Sequence, residues 1–370
     1  MTQSLNYPIT QLPNYPITQL PKFAPAAVLT GLEQIKIRAQ PVPPVTAGTL
    51  LLKILACGVC GSDVRIFHHG HSRVHYPAIP GHEIAAEVVA VGKNVNQFQV
   101  GDKLSLGADI PCGRCRWCQN GQSNCCEQNY AMGYQFPGGF AHYCLLDEMM
   151  VQYGPITRIP DGLDIEQAAL AEPLACCLNG LERVAFKPGQ SVLILGAGPI
   201  GIMLAQAARA FGSPLVILAD VDGRRLEMAG LAGADYLLDT ATSPLIAATG
   251  DITKGRGMDV VFTACPSPAA QEEALKVVGT RGTVNFFGGL PGDSAPIALD
   301  SNLIHYKEIT ITGSHGSTPR QHALALDLIA TGRINLAGLI THHFPLAQIE
   351  QALAAARSRA GLKVMVLPHA

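Results

Sequence analysis

Two textures of apolar patterning divide the chain. Between Phe23 and about Asp147, short β-branched runs are interrupted every few positions by Gly and Pro, as in Thr49–Ala56, Glu83–Val91 and Asp102–Leu106. Runs of this length bounded by turn residues predict an antiparallel, loop-rich β domain. After Glu166 the apolar runs become continuous and alternate with helical periodicity. Strands are expected at Ser191–Leu195, Leu215–Ala219, Val260–Ala264, Thr283–Phe287 and Ile309–Thr312, and helices at Ile200–Phe211 and Gln271–Val278. Strands alternating with helices predict a doubly wound parallel sheet, an α/β architecture. From about Pro319 the tail holds one more helix, Gln321–Thr331, and a last strand, Leu362–Leu367, expected to return to the first domain.

Two segments need separate treatment. Val192 to Ala208 carries no charge and resembles a membrane span in composition, but Gly196, Gly198, Pro199 and Gly201 interrupt it. A strand, a tight glycine turn and a buried helix explain it better. At the other extreme, Asn6 to Pro13 reads NYPITQLP and Asn14 to Pro21 repeats it unchanged. Two copies are too few for a solenoid, and four prolines in sixteen residues exclude helix and central strand. Residues 1–22 therefore read as a disordered leader, with the fold beginning near Lys22. They contain no apolar run behind a basic start, so no secretory signal is expected and the protein reads as cytoplasmic.

Composition narrows the classes. A chain of 370 residues is comfortable for two domains, and 48% hydrophobic against 15% charged residues suits a well-filled interior. A formal charge of −2 leaves no basic excess to hold nucleic acid or an anionic membrane. Eleven cysteines in such a protein are expected as thiols. Four of them cluster between Cys112 and Cys126, which points to metal.

Leu193 to Gly201 reads LILGAGPIG, a glycine turn directly after a strand and opening a helix. Gly196 permits the tight turn, Gly198 lets the backbone approach a pyrophosphate, and Gly201 lets the helix pack on the strand. The helix N-terminus then offers unpaired N–H groups to the phosphates. Asp220 ends the next strand, nineteen positions beyond Gly201. Its carboxylate suits both ribose hydroxyls and would repel a 2′-phosphate, which favours NAD over NADP; Arg224 and Arg225 read as solvated residues at a helix start.

Cys112, Cys115, Cys118 and Cys126 follow at intervals that let one loop close a tetrahedral thiolate shell. A closed shell has no position for substrate, so this zinc would be structural. Cys125 is adjacent, but the spacing and the following Glu127 favour Cys126. The second constellation is dispersed over Gly58–Asp63, Gly81–Glu83 and Glu172–Cys176. A thiolate, an imidazole and a carboxylate from separate segments, with one position left open, describe a catalytic zinc. Asp63 is the natural partner for the other nitrogen of His82. Each residue alone is weak evidence: an isolated Cys60 is more often core, and an isolated His82 or Glu83 more often loop.

The elements ACGVCGSD, PGHE, the four-cysteine lobe, AEPLACC, GAGPIG, LADVDGRRL, NFFGGLP, NLIHYKEITITGS and LITHHFPL stand in an order that resembles the zinc-containing medium-chain alcohol dehydrogenases. The likeness is greatest to the branch similar to sorbitol (iditol) and threonine dehydrogenases, and it runs from about Phe23 to the C-terminus. It implies a GroES-like β-rich catalytic domain over residues 23–176 and 318–370 and a Rossmann NAD-binding domain over 177–317. It implies catalytic zinc on Cys60, His82 and Glu83, with Glu172 a ligand or a partner of zinc-bound water, and Ser62 as the first proton-relay hydroxyl. For NAD it implies Pro199, Ile200 and the glycines at the pyrophosphate, and Asp220 and Arg225 near the adenosine. Phe287, Gly288 and Gly289 with Thr312, Gly313 and Ser314 then follow the nicotinamide half. A homo-oligomer, dimer or tetramer, is also implied. Three departures stand out. Arg65 occupies the position where many relatives have a relay histidine, leaving His68 and His69 as substitutes. His142 replaces a usual glutamate, and Cys57 competes with Cys60 for the ligand role, which the CGSD context gives to Cys60.

The expected activity is oxidation of a secondary hydroxyl on a polyol, with a proton passing through Ser62 and a hydride to NAD. L-threonine or a simple secondary alcohol is the alternative substrate. A zinc-free reductase on the same scaffold is opposed by the intact Cys60, His82 and Glu83, and so is a non-catalytic NAD-binding protein.

Overall fold

The computed structural model describes residues 20–370, so the repeat expected as a disordered leader lies outside the described residues except for Leu20 and Pro21. Two sheets carry the architecture. In the first, Leu50–Val59 is a central strand flanked by Glu83–Val91 on one side and Lys363–Leu367 on the other. Lys103–Leu106 and Ile156–Arg158 extend it outward, Tyr143–Leu146 also pairs with Leu50–Val59, and Ile340–Pro345 forms the far edge. All its pairings are antiparallel except that of the two tail strands, Ile340–Pro345 and Lys363–Leu367. The tail strand places Val364 opposite Val59, and the expected return to the β-rich part is met. A hairpin of Phe23–Gly31 and Gln34–Pro41 stands apart as its own sheet.

The second sheet is wholly parallel, in the order Tyr236–Asp239, Val216–Asp220, Val192–Leu195, Met258–Thr263, Val278–Phe286, Thr310–Gly313. Its central strand, VLIL, is buried at all four positions because helices cover both faces. Chain order reverses at Val192–Leu195, between Val216–Asp220 and Met258–Thr263, and ligands bind at the carboxyl ends of strands beside such a reversal. The uncharged run resolves into this strand, a turn and the helix Pro199–Ala210, which has Gly198 as N-cap and proline in the first turn. Among the described residues no helix is long and apolar enough to cross a membrane.

The expected elements differ from those observed mainly at their ends. Val278, expected to close a helix, instead opens the strand Val278–Phe286, which reaches Thr283 only after an irregular register between Met258 and Val260 of its neighbour. Glycine makes this possible: a Cβ on Gly279 would stand 2.6 Å from Arg256 O. One buried cluster runs through the junction between the sheets, combining Ala56 and Ala85 from the first with Val192, Ile194 and Phe262 from the second. The helix Ala171–Arg183 supplies Leu174, Leu178 and Leu181 to this shared core. Side chains at the amino end of that helix are thereby held against both halves.

Candidate active site

A cleft of about 450 Å³ opens between the two sheets. Leu195, Gly196, Gly198, Pro199, Ile200, Asp220 and Arg225 form one wall, and Val59, Cys60, Gly61, Glu83 and Lys363 the other. Backbone geometry requires glycine at positions 196 and 201 of the turn. Gly196 has φ +117°, in the range where a side chain is strained. A Cβ on Gly201 would meet Gly196 O at 1.8 Å, and one on Gly198 would meet Arg225 Nη2 at 2.6 Å. Asp220 Oδ2 accepts the Ala197 N–H at 2.7 Å and Oδ1 the Asp222 N–H at 3.0 Å, so its carboxylate is locked against the turn.

On the facing wall, Cys60 follows the central strand and caps the helix Gly61–His69. Its N–H donates to Asp63 Oδ2 at 2.9 Å. The other oxygen of Asp63 accepts the Gly81 N–H at 3.1 Å and lies 3.4 Å from His82 Nδ1. Asp63 therefore favours the tautomer that keeps the proton on Nδ1, leaving Nε2 to ligate. Ser62 Oγ stands 3.3 Å from that Nε2. Glu83 opens the adjacent strand opposite Gly58, where a Cβ would fall 2.0 Å from Glu83 Oε2. Glu83 is fully buried; Oε1 accepts from Lys363 Nζ at 2.5 Å, and Oε2 has no hydrogen-bond partner. A buried, unpartnered carboxylate oxygen is costly unless it faces a cation.

Ligand atoms of Cys60, His82 and Glu83 all lie within 4.8 Å of one another. Sulfur, nitrogen and oxygen donors in one partly buried pocket fit zinc with a position to spare. Glu172 stands outside this trio. Its carboxyl is pushed up to about 7 by burial, with His82 opposing and Glu83 and Asp109 adding to the rise, and Cys176 Sγ donates to it at 3.6 Å. Of its two expected roles, partner of a bound water suits this placement better than direct ligand. Cys57 is buried against Gly81 and Gly139, and its sulfur is not among the converging ligand atoms.

The four-cysteine lobe is equally compact. Cys112, Cys115, Cys118 and Cys126 bring their sulfurs together, with separations of 3.5 Å, 3.9 Å and 4.0 Å between three of the pairs. A tetrahedron of thiolates around zinc has S···S edges of about 3.8 Å. Backbone N–H groups of Cys112 and Cys115 point at sulfur at 3.4 Å each. Cys115 is held down to about 6, first by the backbone of Glu127 and then by Cys118. Cys125 turns to the surface.

Other expected residues sit elsewhere. Phe287, Gly288, Gly289, Thr312, Gly313 and Ser314 end adjacent strands but do not line the cleft. Phe287 covers Gly180, Thr312 Oγ1 accepts from Arg183 Nη2 at 3.4 Å, and Ser314 Oγ donates to Asn285 Oδ1 at 3.0 Å. Phe287 and Thr312 thereby meet the helix Ala171–Arg183. His68 pairs with Glu33 and Arg357 and is directed away from Ser62; His69 is exposed. His142 lies against His369 with ring centroids 4.2 Å apart and the planes tilted by 48°. Sequence reasoning missed Lys363, whose only signal is a lone charge opening the apolar strand KVMVL, and Tyr134, whose ring stands 6.0 Å from His82.

Comparison with known proteins agrees with this arrangement. Residues 46–156 match the model of the alcohol dehydrogenase GroES-like domain, and residues 199–331 that of zinc-binding dehydrogenases. The chain is 33% identical to the sorbitol dehydrogenase of Bacillus subtilis, over 93% of this chain and 97% of that one. It is 32% identical to the D-arabitol-phosphate dehydrogenase of Enterococcus avium, over 91% and 94%. A solved zinc-binding dehydrogenase of Sinorhizobium meliloti, bound to NADP, superposes with a TM-score of 0.87 at 30% identity, covering 94% of this chain and all of the other. With both domain models matched and relatives of this identity spanning nearly the whole chain, the protein belongs to the zinc-containing medium-chain alcohol dehydrogenase family, in its branch of sorbitol- and threonine-dehydrogenase-like enzymes.

Proposed function

We propose that the protein oxidises a secondary hydroxyl of a polyol to a ketone with NAD, using one zinc at Cys60, His82 and Glu83 and a second, structural zinc in the four-cysteine lobe. The observation that carries this reading is that Cys60 and Glu83 line the same cleft as the glycine turn and Asp220. A reacting carbon held between these walls is close to both partners of a hydride transfer. Zinc, when bound, supplies Lewis-acid polarisation of the substrate hydroxyl. Asp63 fixes the His82 ring, Lys363 balances the Glu83 charge, and Ser62, beside His82 Nε2, relays the hydroxyl proton toward solvent. Glu172, raised to about 7 by burial, sits near enough to hold a water or to exchange a proton at neutral pH. The glycine turn and the Pro199–Ala210 helix start bind the pyrophosphate, Asp220 the adenosine ribose, with Arg225 alongside. Phe287–Gly289 and Thr312–Ser314 end adjacent strands outside the cleft lining and are assigned to the nicotinamide half on the resemblance alone.

The β-rich part, residues 23–176 and 318–370, is proposed as the catalytic domain and 177–317 as the nucleotide domain, in a homo-oligomeric cytoplasmic enzyme. NADH formation by zinc-loaded protein over sorbitol, xylitol, L-threonine and a simple secondary alcohol tests the reading, with NADP run in parallel. A polyol is expected to lead, with NAD preferred; L-threonine in the lead would replace the substrate class and keep the mechanism.

A further inference from the structure

Beyond the His82 side of the catalytic group stands positive charge that oxidation of a neutral polyol does not use. Ser62 lies on the helix Gly61–His69 with its hydroxyl toward His82. Residues three apart share a helix face, so Arg65 stands one turn beyond Ser62 on that face, and it is exposed. The chain leaves the helix at Gly70 and runs through His71 to Arg73. The Arg73 guanidinium lies over the Tyr134 ring, 4.6 Å from its centroid, and the same ring stands 6.0 Å from the His82 imidazole. His71 meets that ring edge-on at 5.2 Å, and its Nδ1 accepts the Arg73 backbone N–H at 3.1 Å. Burial, followed by the charges of Arg73 and Arg65, holds His71 below its ordinary range.

Among the described residues neither arginine has an acidic ion-pair partner. Arg73 Nη1 donates to two neutral oxygens, Asn129 O at 2.7 Å and Asn129 Oδ1 at 2.8 Å. Ion pairs among the described residues include neither Arg65 nor Arg73. Arg73 is half-buried, stacked on an aromatic face and anchored by one nitrogen, so the rest of its fork is pre-organised for a phosphate or a carboxylate. Its field already reaches the buried Asp109, which also senses His82.

We propose that Arg73 and Arg65 bind a terminal anionic group of the substrate, so that the polyol oxidised at this site is a phosphate ester or a sugar acid rather than a neutral polyol. The inference rests on the polyol reading and names its substrate class. The arginine anchors the charged end of the molecule while a hydroxyl farther along its chain reaches Ser62 and the catalytic trio.

The test assays the full chain, zinc-loaded and with NAD, on D-arabitol against D-arabitol phosphate, D-sorbitol against D-sorbitol phosphate, and D-gluconate, with L-threonine and a simple secondary alcohol alongside. The charged member of at least one pair is expected to lead by about tenfold or more in kcat/KM, the gain residing in KM. That lead should shrink as salt rises. It should collapse in Arg73→Gln and in Arg65→Gln, and survive in part in Arg73→Lys, which keeps the charge over Tyr134. Arg65 is exposed, so its variant reports even if Arg73→Gln fails to fold. Phosphate esters and gluconate separate the two anion chemistries, and a lead for either supports the inference. Equal turnover of neutral and charged polyols overturns it alone, as does a lead that both glutamine variants retain. Turnover of L-threonine or the simple alcohol only would overturn the polyol reading, and this inference with it.

Discussion

The four-cysteine lobe takes all its ligands from one loop between Cys112 and Cys126, partly open to solvent. The Cys60, His82 and Glu83 group takes its ligands from a strand end, a loop and the start of a second strand, with His82 and Glu83 buried. The lobe needs only local chain closure and backbone N–H donors to sulfur, so its geometry is nearly independent of the rest of the fold. The trio exists only because Leu50–Val59 and Glu83–Val91 pair in a register that sets Gly58 opposite Glu83. Its charges are also managed from far along the chain, by Asp63 behind His82 and Lys363 behind Glu83. A site that merely fixes a lobe can be local; one that must stay open to substrate and keep its donors in place draws its support from the whole domain.

The comparison breaks most visibly at Cys60. Cys60→Ser should lower kcat/KM at least a thousandfold, since several kcal/mol of charge stabilisation depend on the metal. NADH binding, followed by fluorescence titration, should persist, because the glycine turn is on the other wall; loss of both together would mean that the walls do not act separately. Cys118→Ser should do the reverse. Zinc content should fall from two per chain to one and stability by roughly 3 kcal/mol, while the remaining folded fraction keeps its turnover. Direct loss of turnover at full folding would show that the lobe is not independent of the chemistry.

The smallest effect concerns ground outside both sites. His322 is fully buried where the helix Pro319–Ala330 meets the first sheet, bonded to Ser105 Oγ at 3.2 Å and Thr157 Oγ1 at 3.0 Å. Burial lowers it from 6.5 to about 4, so the fold keeps it neutral. Because the folded value lies below the unfolded one, the stabilisation is complete above pH 6.5 and declines as pH falls toward 4. Urea unfolding at pH 5 should report about 2 kcal/mol less stability than at pH 7 from this group, and His322→Asn should flatten that part of the profile. An unchanged slope in the variant would assign the acid sensitivity to other groups.

Much of the architecture was legible along the chain because local patterning and tertiary structure agree. Glu83–Val91 was expected with its observed ends, and the glycine turn with its helix within a residue or two. What stayed hidden depends on contacts distant in sequence. The likeness to relatives suggested that Thr312–Ser314 would follow the cofactor; only the fold reveals that Arg183 bonds Thr312 and that Ser314 bonds Asn285 on the neighbouring strand. His68 was a candidate to replace the relay histidine, and only the fold reveals that Glu33 and Arg357 hold it elsewhere.

The sequence by itself pointed to the fold class, two clusters of candidate metal ligands and the dinucleotide turn. Those depend on residue type and short spacing, on glycine where a Cβ cannot fit, and on strand and helix periods. Tertiary structure alone decided that Lys363, nearly three hundred positions from Glu83, balances its buried charge, and that Glu172 stands outside the trio. It also decided that Arg73 lies over the Tyr134 ring, which stands beside His82. Electrostatic partnership depends on distance through space and on burial, and neither is written in the order of residues until strands choose their register.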